Sequence, residues 1–266
     1  MVSPEVYELF ALRYATRAGR RPEFFLGGDP HDVPMAIDYF VWLARSKTRT
    51  ILIDTGFNEA MARKRHRTFL RDPIDSLQLL GVSAGDLDDV ILTHFHYDHA
   101  GNFDRFPKAR FHVQDREMEF ATGRHMTHRI FNAPYEVDEV TGLVRRVYEG
   151  RVVFHDGDAE IASGLTLHRT GGHSHGLQFV RVFTARGWVV VASDVSHFYE
   201  SFQACRPLPL VFNVGDMVQG YQRLRDLAPT EAHIVPGHDA LVMQRYPALT
   251  PELDGIIVRL DVAPSE

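Results

Sequence analysis

The chain has 266 residues, 44% of them hydrophobic and 24% charged, with 20 Gly and 14 Pro. That excludes collagen-like, coiled-coil and wholly disordered chains and is enough for a sizeable core. A formal net charge of −6 argues against a general nucleic-acid or anionic-membrane surface and favours small-molecule chemistry. The single cysteine, Cys205, can form no intramolecular disulfide, so a reducing compartment fits. No run approaches the ~18 apolar residues of a membrane span, and the N-terminus lacks the basic and apolar regions of a signal peptide; a cytoplasmic location is expected. The 15 histidines are about twice the usual share, and such an excess suggests metal.

Taken in chain order, Val6 to Tyr14 reads as a strand, with alternating apolar residues and β-branched or aromatic content. Residues Arg17 to Pro34 surround Phe24, Phe25 and Leu26 with turn formers, a loop suited to covering a site and lining an acyl pocket. Strands follow at Ile37 to Leu43 and Thr50 to Ile53, the latter ending in Asp54-Thr55-Gly56. Asp72-Pro73 opens a helix that Gly81 stops. Val90 to Thr93 is a buried strand running directly into His94.

Downstream, helical patterns cover Asp115 to Thr122, Val137 to Tyr148 and Val214 to Leu227. Short strands cover Arg151 to His155, Leu165 to Thr170, Leu177 to Thr184, Trp188 to Ala192 and Ala232 to Val235. A short helix ends the pattern. Two groups of strands, each followed by helices, suit a layered α/β sandwich of one domain, residues 1–266.

The segment Thr93-His94-Phe95-His96-Tyr97-Asp98-His99 carries three histidines and an aspartate within six positions. The chain's own frequencies give roughly 0.004 expected occurrences of His-x-His-x-Asp-His, so chance is a poor explanation. In extended backbone His94 and His96 point to one side and can grip one cation; a following helical turn brings Asp98 and His99 round to a second.

Here the sequence resembles the metallo-β-lactamase superfamily, whose binuclear hydrolases share this motif. Further motifs occur in order: Leu52-Ile53-Asp54-Thr55-Gly56, Thr170-Gly171-Gly172-His173, Ala192-Ser193-Asp194 and Val235-Pro236-Gly237-His238. The resemblance implies a four-layer αββα sandwich. It implies that His94, His96 and His173 hold one metal, Asp98, His99 and His238 the other, and that Asp194 bridges them. Asp54 would then orient an imidazole from behind. With His and Asp donors and no thiolate, two divalent metal ions are expected, zinc (Zn2+) by default. A metal-bridging hydroxide would attack a carbonyl, with Asp98 relaying the proton.

Within the superfamily the chain is most similar to the N-acyl-homoserine lactonases, quorum-quenching enzymes that open a small lactone. Those enzymes usually carry a tyrosine three residues after the bridging Asp, where this chain has His197; His197 or Tyr199 is the expected donor to the developing oxyanion. Carboxylester and phosphotriester hydrolysis remain alternatives on this scaffold. Two rivals come from other classes. Gly172-His173-Ser174-His175-Gly176 spells the nucleophile motif of serine hydrolases, although the residues after it read as a strand and not a helix. A non-catalytic metal-binding protein is the other. The expected partner is a small-molecule substrate, with no nucleic acid and no membrane, and a homodimer is among the open oligomeric states.

Overall fold

In a computed structural model, which describes residues 3–265, thirteen strands form two sheets. In chain order they are β1 (Glu8–Arg20), β2 (Pro34–Arg45), β3 (Thr50–Ile53), β4 (Thr68–Phe69), β5 (Asp89–Ile91), β6 (Arg110–Gln114) and β7 (Val152–His155). There follow β8 (Ala159–Ala162), β9 (Leu165–Arg169), β10 (Gln178–Thr184), β11 (Gly187–Ser193), β12 (Ile234–Pro236) and β13 (Ile257–Arg259). The larger sheet has the order β13-β1-β2-β3-β5-β6-β7, with β4 on β1; the smaller is β12-β11-β10-β9-β8.

Period-two alternation along the central strands sends neighbouring side chains into two different cores. On β2, Tyr39, Val41 and Leu43 join one cluster with Leu77, Phe120, Val140 and Leu143 from the helices that cover the larger sheet. Phe40, Trp42 and Ala44 join the other, with Leu167, Phe179 and Val180 of the smaller sheet. Met217, Tyr221 and Leu224 of the helix Val214–Leu227 belong to that second cluster too. The result is the expected four-layer αββα sandwich. Burying each large aliphatic or aromatic side chain stabilises it by roughly 1.5–3 kcal/mol, so strands with both faces buried hold the frame that fixes the loops.

The helices Asp115–Thr122, Val137–Tyr148 and Val214–Leu227 match their expected limits. The last is capped by Asn213, whose side chain accepts from Gly215 and Asp216 N–H. Two expectations need correction. β1 continues to Arg20, because it pairs with β2 from Glu8↔Arg45 to Arg20↔Pro34; the expected loop therefore shrinks to a 3-10 turn, Arg21–Phe24, and the residues after it. The segment after Asp72 is a 3-10 helix, Asp75–Leu80, held at its start by the Asp72 carboxylate and ended by Gly81 at φ 69°. β13 pairs with β1 without having announced itself in sequence.

Candidate metal and active site

The chemistry-bearing residues sit where strands end. Asp54 follows β3, His94 to His99 follow β5, Asp194 follows β11 and His238 follows β12. β3 and β5 are parallel neighbours, as are β11 and β12, so each sheet delivers two loops to one rim. That is where open α/β sheets gather ligands. Two of these turns are strained: Asp54 (φ 61°) and Ser193 (φ 46°) adopt left-handed backbone, at about 1–2 kcal/mol each for a non-glycine residue. Around Asp54 the cost is offset by three hydrogen bonds to its carboxylate, from Thr93 N–H (2.7 Å), Thr93 hydroxyl (2.8 Å) and His99 Nδ1 (2.7 Å).

The structure brings all seven expected ligands together and buries their side chains deeply. Donor atoms of His94, His96, His173 and Asp194 lie within 4.8 Å of one another; so do those of Asp98, His99 and His238. The Asp194 carboxylate is divided between the groups. Its Oδ2 is 3.0 Å from His173 Nε2 and 3.7 Å from His94 Nε2, while its Oδ1 is 3.0 Å from His238 Nε2 and 3.2 Å from His99 Nε2.

Several rings are turned by partners outside the cluster. His173 Nδ1 donates to the Leu210 carbonyl (2.6 Å), His238 Nδ1 to the Asp38 carbonyl (2.8 Å), and His99 Nδ1 to Asp54, so their Nε2 atoms face inward. Nε2 of His94 and of His99, although 3.7 and 3.2 Å from Asp194 oxygens, is buried and forms no hydrogen bond among the described residues. Leaving such atoms unpaired costs about 1–3 kcal/mol each, which a cation would recover. The donor set therefore fits divalent metal.

Burial, and then the crowding of other imidazoles, pushes His94 and His96 well below the usual histidine range. That favours the neutral ring, the form with a lone pair to give. For Asp194, burial opposes ionisation, yet His197, His99, His238 and His173 hold its carboxyl well below the ordinary range. For His99 burial opposes the proton, but Asp194, Asp54 and Asp98 outweigh it and raise the pKa.

His197 joins the cluster. Its Nε2 is 3.2 Å from Asp194 Oδ2, its ring lies 4.7 Å from that of His238, and its Nδ1 has no hydrogen-bond partner among the described residues. Tyr199 does not. It starts a short helix, Tyr199–Gln203, and its ring packs with Phe202 under the Arg245 guanidinium, beside a separate cavity lined by Asp239 and Leu241.

His96, Asp98, His173, Asp194 and His197 line a cavity of about 300 Å³ whose wall includes Phe24, Leu208 and Leu210. Only one of the three expected pocket residues lines it. Phe25 is turned inward between the Arg21 and Arg206 guanidiniums, against Phe198, and Leu26 is half exposed. Phe24 is seated tightly: a Cβ on Gly19 would lie 2.6 Å from its ring.

Ser174 is fully buried and donates to Glu117 (2.6 Å), and among the described residues no histidine bonds its hydroxyl, so the serine-nucleophile alternative lacks both an accessible nucleophile and its triad histidine. Glu117 is a residue that the motifs do not announce. From the helix Asp115–Thr122 its carboxylate accepts from Phe95 N–H, Tyr135 hydroxyl, Ser174 hydroxyl and Gly176 N–H, tying together the loops that carry His94, His96 and His173. Gly176 permits the approach, since a Cβ there would sit 2.1 Å from the Glu117 nitrogen. The residues that follow the histidine-rich loop gave no sign of this: a lone Glu on an amphipathic helix reads as solvent-facing.

The sequence profile of the Metallo-beta-lactamase superfamily matches residues 37–238. The chain is 28% identical over 217 residues to an N-acyl homoserine lactonase of Bacillus thuringiensis, covering 75% of this chain and 81% of that protein. Its fold is similar to the crystal structure of a quorum-quenching N-acyl homoserine lactone lactonase, with TM-score 0.74 at 23% identity over 90% of this chain and 95% of that one. It is equally similar in fold to a probable metal-dependent hydrolase from Staphylococcus aureus, with TM-score 0.74 at 15% identity over 100% and 97% of the two chains.

Proposed function

Because the chain belongs to the metallo-beta-lactamase superfamily, we propose that it is a binuclear metal-dependent hydrolase that opens a lactone such as an N-acyl-homoserine lactone. The observation that carries this reading is the divided carboxylate of Asp194, one oxygen toward His94 and His173 and the other toward His99 and His238. The relative named N-acyl homoserine lactonase supports the substrate class. In this reading His94, His96, His173 and Asp194 hold one cation, and Asp98, His99, His238 and Asp194 the other, with zinc the default for such donors.

When bound, the two cations supply Lewis acidity, making a water nucleophilic near neutral pH and neutralising charge at the carbonyl and the departing oxygen. This chain's own residues do the rest. Asp54 holds the His99 ring, and the carbonyls of Leu210 and Asp38 hold His173 and His238, so the donor atoms need no reorganisation. Asp98, on the cavity wall, accepts the proton of the attacking water and delivers it to the leaving alkoxide. His197 donates an N–H to the carbonyl oxygen as negative charge develops there. Phe24, Leu208 and Leu210 pack the acyl portion and exclude water.

Elemental analysis of the purified protein, paired with a pH-indicator assay on homoserine lactones, γ-lactones, aryl esters and a phosphotriester with and without chelator, tests the reading. About two metals per chain and chelator-sensitive lactone opening are expected. Turnover of esters or the phosphotriester alone would keep the site and replace the substrate; chelator-insensitive turnover without metal would overturn both.

A further inference from the structure

The cavity that receives the substrate is lined by three arginines, Arg17, Arg65 and Arg67, and their charges are not equally spent. Arg17 is paired with Glu23, and Arg65 with Glu136. Arg67 is half-buried and, among the described residues, enters no ion pair within 4.0 Å. Its two hydrogen bonds go to neutral oxygens: Nε donates to the Tyr97 hydroxyl (3.1 Å) and Nη1 to the Arg65 carbonyl (2.7 Å). Nη2 has no partner among the described residues. The guanidinium is also braced, because Arg65 stacks 4.3 Å over the Tyr97 ring and the Tyr97 hydroxyl reaches that of Tyr39.

A half-buried charge held in place without an ion-pair partner in contact is a costly arrangement unless a ligand completes it. Among the described residues no acid on the wall closes an ion pair with it within 4.0 Å, although the charge of Asp98 favours the Arg67 cation from farther off. Glu23 serves Arg17, and Asp98 lies with His99 and His238. A planar guanidinium with one edge occupied and one N–H group free matches a single carboxylate better than a dianion that needs several cations.

We propose that Arg67 is a specificity-determining residue and that the natural substrate is a small lactone or ester bearing a carboxylate, which Arg67 binds while the scissile carbonyl lies among His96, Asp98, Asp194 and His197. This deepens the hydrolase reading and rests on it for the identity of the reacting bond. The cavity of about 300 Å³ is at the small end for ligand sites and suits a compact substrate, with a short acyl portion against Phe24, Leu208 and Leu210.

The test uses metal-loaded wild-type protein with matched probes that differ only in the anionic tail: adipate against hexanoate for binding by calorimetry, and the mono-4-nitrophenyl ester of adipate against 4-nitrophenyl hexanoate for turnover. Adipate is expected to bind at least ~10-fold more tightly than hexanoate at low salt, and the adipate ester to be preferred by a similar ratio in kcat/KM. In Arg67→Met both ratios should fall to about 1, and Arg67→Lys should retain part of the preference. Equal binding of the two acids by wild type, or a preference that survives in R67M, would overturn the inference; the first of these needs no variant to fold. Turnover of the hexanoate ester with no adipate preference would sink Arg67 and leave the hydrolase standing. An adipate preference in binding, with no turnover of any ester or lactone, would keep the anion site and sink the hydrolase.

Discussion

Histidines meet carboxylates in two regions of this molecule, and the difference between them separates a site from a scaffold. On the larger sheet, Asp89, His112 and His155 form a closed chain: His155 Nε2 bonds His112 Nδ1 (3.0 Å), and His112 Nε2 donates to Asp89 Oδ1 (3.0 Å). Both ring nitrogens of His112 are spent, and Arg110 also pairs with Asp89. At the sheet rim, six imidazoles converge on Asp54, Asp98 and Asp194, and Nε2 of His94 and of His99 faces inward with no hydrogen bond among the described residues. Both places are rich in His and Asp. What distinguishes a metal site is donor atoms that converge and are left unsatisfied.

Three substitutions bear on this contrast. Asp194→Ala removes the carboxylate whose two oxygens face the two groups and should abolish turnover, beyond the roughly 100-fold that loss of an outer partner costs, and lower the metal content measured by elemental analysis. Full activity with normal metal would erase the contrast. His197→Phe keeps the seven proposed ligands and removes only the proposed donor, so kcat for lactones should fall by about 10-fold to 1,000-fold with metal content intact; an unchanged rate would place His197 with the structural histidines.

The smallest effect belongs to the scaffold cluster. Burial and the neighbouring His112 push His155 down to about 4, and the hydrogen bond from His112 holds Asp89 below the usual carboxylate range. Both groups resist protonation more in the folded chain than in the unfolded one, so their contribution is present near neutrality. As pH falls below about 6.5 toward 4 the His155 contribution is lost, and that of Asp89 goes at lower pH. His155→Gln should flatten the thermal stability profile over that acid window by about 1 kcal/mol, discounted because His155 is partly exposed. Metal content should not move; a drop would mean the two regions are coupled.

Much of the candidate site was legible because the proposed ligands sit beside local signals: an apolar run ending in His94, or Gly-Gly before His173 and Pro-Gly before His238. The helix limits at 115–122, 137–148 and 214–227 were legible from apolar spacing and flanking glycines or caps. Side-chain direction within an irregular segment was not. Phe24, Phe25 and Leu26 are consecutive and alike in type, yet one lines the cavity, one is clamped between arginines and one faces solvent, because long-range ion pairs from Glu200 and Asp29 set the turn. Tyr199 and Glu117 depend equally on partners 40 and 57 residues away, Asp239 and Ser174, which no window of sequence contains.

The seat of Phe24 against Gly19 gives the cavity an adjustment from behind. Any side chain at position 19 must displace that ring from the wall, so the range of acceptable substrates can be retuned by a residue on β1 that neither holds metal nor lines the cavity. For engineering, a library at this one glycine would vary pocket shape while leaving every proposed ligand in place.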